Sequence, residues 1–362
     1  LLGIKDPLRP QAKQTVKELL GAGIKLVVVT GDHKDTAIRI ASEVGLPASE
    51  QNVITGIQLD KMSDEELELR IENITIFARV EPKHKIRIVN AFKNVGRAVA
   101  MIGDGVNDAP ALKAADIGVA LGSGSDVSHE IADMVLLDNN LSSIDAAVRE
   151  GRTIFENIRK MIVFLMARSF SEIVMIAGAI LCGFPLPLFA TQIFWINMVG
   201  HGFTHLALIK EPEEHDIMKR APLSKYEPIL NYDMKFMIFL IGIITDFGLF
   251  GMYVFLLKIN MPIDRIRTII FTALACDALF FVFAVKNFKK SIFKIDLFNN
   301  AWLIWAVAAG FVLQLCALYV PFLKDLFQAT DLSLAEWGII LGLSLIKITG
   351  IEVAKDWLRR KS

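Results

Sequence analysis

The chain has 362 residues, with 39 basic and 39 acidic side chains for a formal net charge of zero, 53% hydrophobic residues and a mean hydropathy of +0.47. Such hydropathy is high for a soluble protein and indicates membrane spans joined to a globular part, while the balanced charge goes with no nucleic-acid partner. Three cysteines, Cys182, Cys276 and Cys316, lie in apolar stretches without CxxC spacing, which excludes a disulfide framework and a zinc site.

Residue 1 is Leu, with no signal peptide ahead of it, so the chain is expected to be the C-terminal part of something longer. Residues 1 to about 155 read as an α/β unit. An amphipathic helix is predicted over Pro10 to Leu20, followed by a β-rich run, Lys25 to Val29, that ends in Thr30-Gly31-Asp32. The polar, acidic stretch Pro47 to Asn73 is expected to be an excursion on the edge of a sheet. Strand candidates recur at Thr75 to Phe77, Ala98 to Ile102, Ile117 to Ala120 and Met134 to Leu137, with helical patterns between them. Strands alternating with helices argue for βαβ units and a parallel sheet.

The most informative stretch is Met101-Ile102-Gly103-Asp104-Gly105-Val106-Asn107-Asp108-Ala109-Pro110. The apolar run Ala98 to Ile102 reads as a buried parallel strand whose C-terminal end opens into a polar loop, where open α/β sheets place ligands. Glycines let the backbone turn sharply beside a ligand, and carboxylate oxygens suit Mg²⁺ held jointly with a phosphate. A surface Asp/Gly turn accounts for the glycines, but not for carboxylates directly behind a buried strand.

After Arg159 and Lys160 the composition changes. Apolar stretches follow at 161–182, 188–209, 236–257, 268–285, 302–322 and 337–354, each near the ~20 residues a bilayer requires. Six spans put both ends on one side. Basic residues flank that side at Arg159/Lys160, Lys219/Arg220/Lys225, Lys286/Lys289/Lys290 and Arg359/Arg360/Lys361, so it is expected to be cytoplasmic. Lys258, Arg265 and Arg267 on the opposite side break this pattern.

Charged groups in hydrocarbon are expensive and default to functional candidates. Span one carries Arg168, Ser169 and Glu172, with Arg168 and Glu172 one helical turn apart, where they are expected to pair. Span two carries Asn197, His201 and His205 beside Gly200 and Gly202, which could loosen the helix. Asp246, Asp277, Gln314 and Lys347 follow in spans three to six. Gln314 and Lys347 read best as helix–helix glue; Glu172, Asn197 and Asp277 together read as a transport site. His201 can titrate near neutrality and could bind or pass a proton.

Thr30-Gly31-Asp32, Phe77-Ala78-Arg79-Val80-Glu81-Pro82 with Lys85, and Gly103 through Pro110, in that order and followed by six spans, resemble the second half of a P-type ATPase. The likeness covers essentially all 362 residues, and Gln192-Ile193-Phe194-Trp195-Ile196-Asn197 is similar to the calcium-pump version of the sixth transmembrane helix. The resemblance implies a haloacid-dehalogenase-like α/β cytoplasmic domain over 1–155, then an all-α transmembrane domain of six helices over 156–362. It also implies ATP as substrate and Mg²⁺ as cofactor. Asp104 would hold Mg²⁺, Asn107 and Asp108 would organise the loop around phosphate and metal, and Thr30 would bond a phosphoryl oxygen. Lys85 would neutralise the transferred group. Asp6, with Asp32, would sit at the hinge and nucleotide side.

The departures count as well. The phosphorylated Asp-Lys-Thr-Gly segment, the nucleotide domain, the actuator domain and the first four transmembrane helices are missing, so this chain alone should be inactive. They are its expected partners, with lipid and the transported cation. Where calcium pumps have Asn-x-x-Thr-Asp, this chain reads Asn197-Met198-Val199-Gly200-His201, and Ser169 falls on their asparagine. Arg168 falls where gastric-type pumps carry a lysine, and Asp277 aligns with an aspartate of the sodium/potassium branch. A Ca²⁺ site wants six to eight oxygens, so the ion is expected to be a proton or one small cation, moved across what is expected to be a plasma membrane. A non-catalytic membrane subunit and a phosphatase fused to a membrane anchor are the competing readings.

Overall fold

The computed structural model describes residues 8–240, 246–288 and 290–361. The chain divides into two units, Leu1–Arg152 with Glu213–Glu227, and Thr153–Pro212 with Pro228–Ser362.

The first unit is α/β. Strands β1 (Val28–Val29), β2 (Val53–Thr55), β3 (Ile76–Ala78), β4 (Ala100–Gly103), β5 (Ile117–Leu121) and β6 (Met134–Leu136) form two three-stranded sheets, ordered β1-β3-β2 and β4-β5-β6. Every pair is parallel, with Val28 opposite Ile76, Val53 opposite Ile76 and Gly103 opposite Ala120. Helices α1 (Ala12–Gly21), α2 (Lys34–Val44), α3 (Gly56–Lys61), α4 (Asp64–Arg70), α5 (Pro82–Asn94), α6 (Ala109–Ala114) and α7 (Asp126–Ile131) connect them. The period of two along β3 sends Phe77 to one face, with Ile54, Leu59, Leu67, Ile88 and Phe92. Ile76 and Ala78 go to the other, with Val16, Ala37 and Ala41.

Helix starts follow from local chemistry. Pro82 opens α5, and the Glu81 amide donates to His84 Nδ1 at 3.0 Å. Ser63 caps α4 and Ser125 caps α7, each accepting an amide three residues on at 3.2 Å.

Two expectations are corrected here. The polar stretch 47–73 is more than an excursion, because Val53-Ile54-Thr55 pairs with β3 as an edge strand. Nor is the run before Asp104 a buried central strand. Among the described residues only β5 pairs with β4 and only β3 with β1, and Ile102 is 37% exposed. The cause is this place at the edge of the sheet, which β1 shares.

The segment 213–227 is held on the first unit by its backbone carbonyls. The Arg152 guanidinium donates to Ile217 O and Arg220 O at 2.9 Å each and to Ala22 O at 2.8 Å. Lys225 reaches Asp116 at 2.9 Å. The Val99 amide, helped by Lys225 and Lys93 against the cost of burial, holds the Asp116 carboxyl below its ordinary range.

The second unit is helical. Helix α8 (Leu141–Leu181) crosses the unit boundary and contains the first apolar stretch. The second stretch is α9 (Ala190–Ile196), a π-helical turn Asn197–Gly202 and α10 (Phe203–Ile209). The third falls on α11 (Tyr232–Leu240) and α12 (Asp246–Lys258), either side of residues 241–245. Then come α13 (Ile263–Val285), α14 (Ala301–Tyr319), the short α15 (Pro321–Leu326) and α16 (Leu334–Lys361). Among the described residues, α8, α13, α14 and α16 are long and apolar enough to cross a membrane. The π turn is where Gly200 packs: a Cβ there would come 2.7 Å from Ala278 Cβ of α13.

The basic residues that broke the flanking pattern are largely neutralised. Arg265 donates to Glu336 at 2.6 and 3.1 Å. Arg267 pairs with Asp264 at 3.3 Å and lies over the Phe189 ring. At the other end, Lys286 and Glu211 form a buried pair at 3.2 Å, with Asn300 also donating to Glu211 at 2.9 Å.

Removing one partner of a buried pair leaves a charge unpaired. Glu211→Ala is therefore expected to destabilise the membrane unit by about 3 kcal/mol, and Glu211→Gln by clearly less. Denaturant unfolding of the chain in detergent measures both; equal, negligible losses would contradict the pairing.

Candidate functional site

Two sets of residues sit at C-terminal ends of parallel strands in the first unit, the position at which open α/β sheets bind ligands. Thr30, Gly31 and Asp32 follow β1. The Asp32 amide donates to Thr30 Oγ1 at 3.1 Å, and the hydroxyl donates to Asp32 Oδ2 at 3.0 Å, a turn closed on itself. The Arg79 amide fastens this turn to the end of β3 by donating to Asp32 O at 3.0 Å. Asp6 lies outside the described residues.

The second set follows β4. Lys85 of α5 forms an ion pair with Asp108, whose residue is buried, while Asp104 and Asn107 are exposed. The pair joins the sheets through α5, which starts behind β3 and ends its reach behind β4. Asp108 therefore carries a lysine in this geometry, and Asp104 is the carboxylate open to a metal. Among the described residues no group of three or more metal-ligating side chains gathers. Mg²⁺ keeps several waters and needs only one or two carboxylates beside a phosphate, a demand the exposed Asp104 carboxylate could meet. No hydrogen bond joins the Thr30 set to the Asp108 set among the described residues.

The loop is braced from behind by residues that sequence reading passed over. The Ser125 amide donates to Asp104 O at 3.0 Å and the Ser128 hydroxyl to Gly105 O at 3.1 Å. Gly124 has no room for a side chain, because a Cβ would lie 3.0 Å from Asp104 O. The Gly-Ser-Gly-Ser run at 122–125 was their only sequence signal.

In the second unit Arg168 is fully buried and does not pair with Glu172, as had been expected. Its Nη1 donates to Asp277 Oδ2 at 3.0 Å, 109 residues away on α13. A carboxylate on a facing helix, free to meet the guanidinium end-on, outcompetes a neighbour on the same helix. Glu172 instead receives the Asn197 amide at 3.3 Å. Lys347 is corrected too. It is more than glue, with Nζ 2.7 Å from the same Asp277 oxygen and 3.9 Å from Asp246. Asp246 accepts from Ser171 at 2.5 Å. Gln314 does join helices, accepting from Trp195 at 3.1 Å. Ser169 bonds Leu165 O of its own helix and is exposed. The His201 backbone lies in the π turn, where four residues fall short of a full turn; its side chain is outside the described residues. His205 packs edge-on against Phe164, ring centroids 5.1 Å apart.

Comparison with known proteins bears on both units. Residues 185–357 match the family model for the C-terminus of cation-transporting ATPases, and residues 1–116 and 86–148 match models of haloacid dehalogenase-like hydrolases. A calcium-transporting ATPase 1 of Bacillus cereus is 38% identical over 98% of this chain and 42% of its own length. A calcium-transporting ATPase 1 of Saccharomyces cerevisiae is 36% identical over 100% of this chain and 38% of its length. The human calcium-transporting ATPase type 2C member 1 is 35% identical over 95% and 38%. The chain thus spans about two fifths of the curated relatives it matches.

Gly103 is the position where the loop geometry is tightest. A Cβ there would sit 2.5 Å from Asp108 Cβ and 2.8 Å from Cγ, whereas at Gly105 the nearest atom is 3.8 Å away. Gly103→Ala is expected to push Asp108 off Lys85 and lower unfolding stability by about 1–3 kcal/mol. Gly105→Ala should be close to neutral, and thermal unfolding of the two variants side by side checks the difference.

Proposed function

The chain belongs to the cation-transporting P-type ATPases as the C-terminal part of one, and from that we propose that it supplies the charge-compensating half of a phosphorylation site and the last six helices of an ATP-driven cation pump. One observation carries the reading: the Lys85–Asp108 pair and the open carboxylate of Asp104 stand beyond β3 and β4, and β1 and β4 are each an edge strand of their sheet among the described residues. A parallel strand bearing an aspartate, inserted between β1 and β4, would put that aspartate between the Thr30 turn and Asp104. We assign this strand, the nucleotide domain, the actuator domain and four further helices to the portion of the relatives this chain does not cover. Without them the chain alone is inactive.

The roles follow from charge and position. Lys85, held in place by Asp108, offers its ammonium to the equatorial oxygens of a transferred phosphoryl group from ATP, where charge develops. The Thr30 hydroxyl and the Gly31 backbone orient those oxygens from the other side, and Asp32 fixes the Thr30 rotamer. Asn107, exposed on the loop, donates to phosphate. Asp104 would hold Mg²⁺, which would supply charge neutralisation for the phosphoryl group. In the membrane, Arg168, Glu172, Asn197 and Asp277 line the ion site, which His201 adjoins along the backbone. The relatives named above are calcium-transporting; for this chain we propose a cation pump.

The protein is a multi-pass membrane protein. We place both of its termini in the cytoplasm, in the plasma membrane, because the basic flanks at Arg159/Lys160 and Lys286/Lys290 share one side. The arginines on the other side are spent on Glu336 and Asp264.

Two measurements test this. In the full-length protein, Asp104→Asn should abolish the acid-stable phosphoenzyme formed from ATP while leaving membrane insertion unchanged; normal phosphorylation would refute the loop assignment. For topology, Asp331→Cys in a Cys182→Ser background should react with an impermeant thiol reagent added outside intact cells. Labelling only after permeabilisation would invert the proposed orientation.

A further inference from the structure

The centre of the helix bundle holds three carboxylates, Glu172 on α8, Asp246 on α12 and Asp277 on α13, and two fixed cations, Arg168 and Lys347. The cations are not spread evenly. Both converge on one oxygen, Asp277 Oδ2, Arg168 at 3.0 Å and Lys347 at 2.7 Å, and Lys347 also lies 3.9 Å from Asp246. Arg168 is 0% and Lys347 6% exposed, so neither can leave for water. The two aspartates are therefore already compensated by groups tied to the chain. Glu172 is not. Among the described residues its one hydrogen-bond partner is the Asn197 amide at 3.3 Å, and its Oε1 is buried without any.

We infer that the cargo binds at Glu172 as a single positive charge, a monovalent cation, and that Arg168 and Lys347 keep a divalent one out. The inference rests on the pump reading and names the class of ion that pump moves. Three features of the site support it. The net charge left for a cargo to neutralise is one, because two carboxylates face two fixed cations. Arg168 presents two further buried donors, Nε and Nη2, that have no acceptor among the described residues and stand one helical turn from Glu172. Their repulsion of a cargo scales with its charge, and low polarity around them strengthens it. Finally, a divalent ion such as Ca²⁺ requires six to eight oxygens. Here the Asp277 oxygen nearest the site is spent on two nitrogens, Ser171 donates to Asp246, and Asn197 turns its amide N–H toward Glu172. Protons and alkali cations share the chemistry that remains.

The test uses the full-length pump that contains this chain, in detergent for binding and in proteoliposomes for flux. Equilibrium ⁴⁵Ca²⁺ and ⁵⁴Mn²⁺ binding without ATP should show no stoichiometric site at micromolar free ion. ATP-driven flux should appear in one arm among ²²Na⁺, ⁸⁶Rb⁺ and a pH-sensitive dye, and that arm identifies the cargo. Replacing both cations, Arg168→Gln with Lys347→Met, should raise affinity for Ca²⁺ at least tenfold by freeing two carboxylates. Glu172→Gln should abolish the monovalent flux. One or two Ca²⁺ or Mn²⁺ bound tightly to the unsubstituted protein would overturn the inference and leave the pump reading standing. Absence of ATP hydrolysis in every medium would count against the pump reading, and the binding arm, which needs no ATP, would still decide the charge.

Discussion

A β-strand at the edge of a sheet leaves alternate N–H and C=O groups with no strand to meet. Among the described residues β1 and β4, which lead into the Thr30 turn and the Asp104 loop, are two such strands, with β2 and β6 the others. Parallel ladders pair every second residue to each side. Val28 and Thr30 face β3, and Val99 faces β5, so the groups of Val27, Val29, Ala100 and Ile102 point to the open edges. Natural proteins do not leave such edges bare without cost, since they invite pairing with any exposed strand. The Lys85–Asp108 pair and the Arg79 amide already tie the Thr30 turn to the loop after β4 through β3 and α5, and a strand filling both edges would add a backbone tie between them.

The membrane unit follows the same rule with charge in place of backbone. Where water is excluded, a charge must be paired close by or it is prohibitive. That rule explains why Asp277 gathers two cations and why Arg265 and Arg267 sit harmlessly on Glu336 and Asp264. What is left over is one carboxylate at Glu172, on which the proposed transport site rests.

Much of this was legible in the residues. Strand–helix alternation, the order of the three motifs and the change in composition after Lys160 led to the fold and the family. Other features were not. Val53-Ile54-Thr55 makes an edge strand too short to stand out from its acidic surroundings, and its partner, β3, lies more than twenty residues on. The exposure of Ile102 follows from the place of β4 at the edge of its sheet among the described residues, which no local pattern marks. Helical spacing reports which residues share a face on one helix, so it offered Glu172 as the partner of Arg168; the true partner lies on α13, and no period in the sequence links positions 109 apart. Lys347 was read as glue for the same reason, whereas the loosening signalled by Gly200 and Gly202 is met by the π turn Asn197–Gly202 that contains them.

The central claim is that a strand from the rest of the pump inserts between β1 and β4. Amide hydrogen exchange on peptides covering residues 26–30 and 99–103, compared between this chain and the full-length protein, tests it most directly. The account expects these amides to exchange at least roughly a hundredfold more slowly in the full-length protein, with β3 and β5 changing far less. Equal exchange in the two proteins would mean that no strand fills the gap, and the proposed phosphorylation site would lose its foundation.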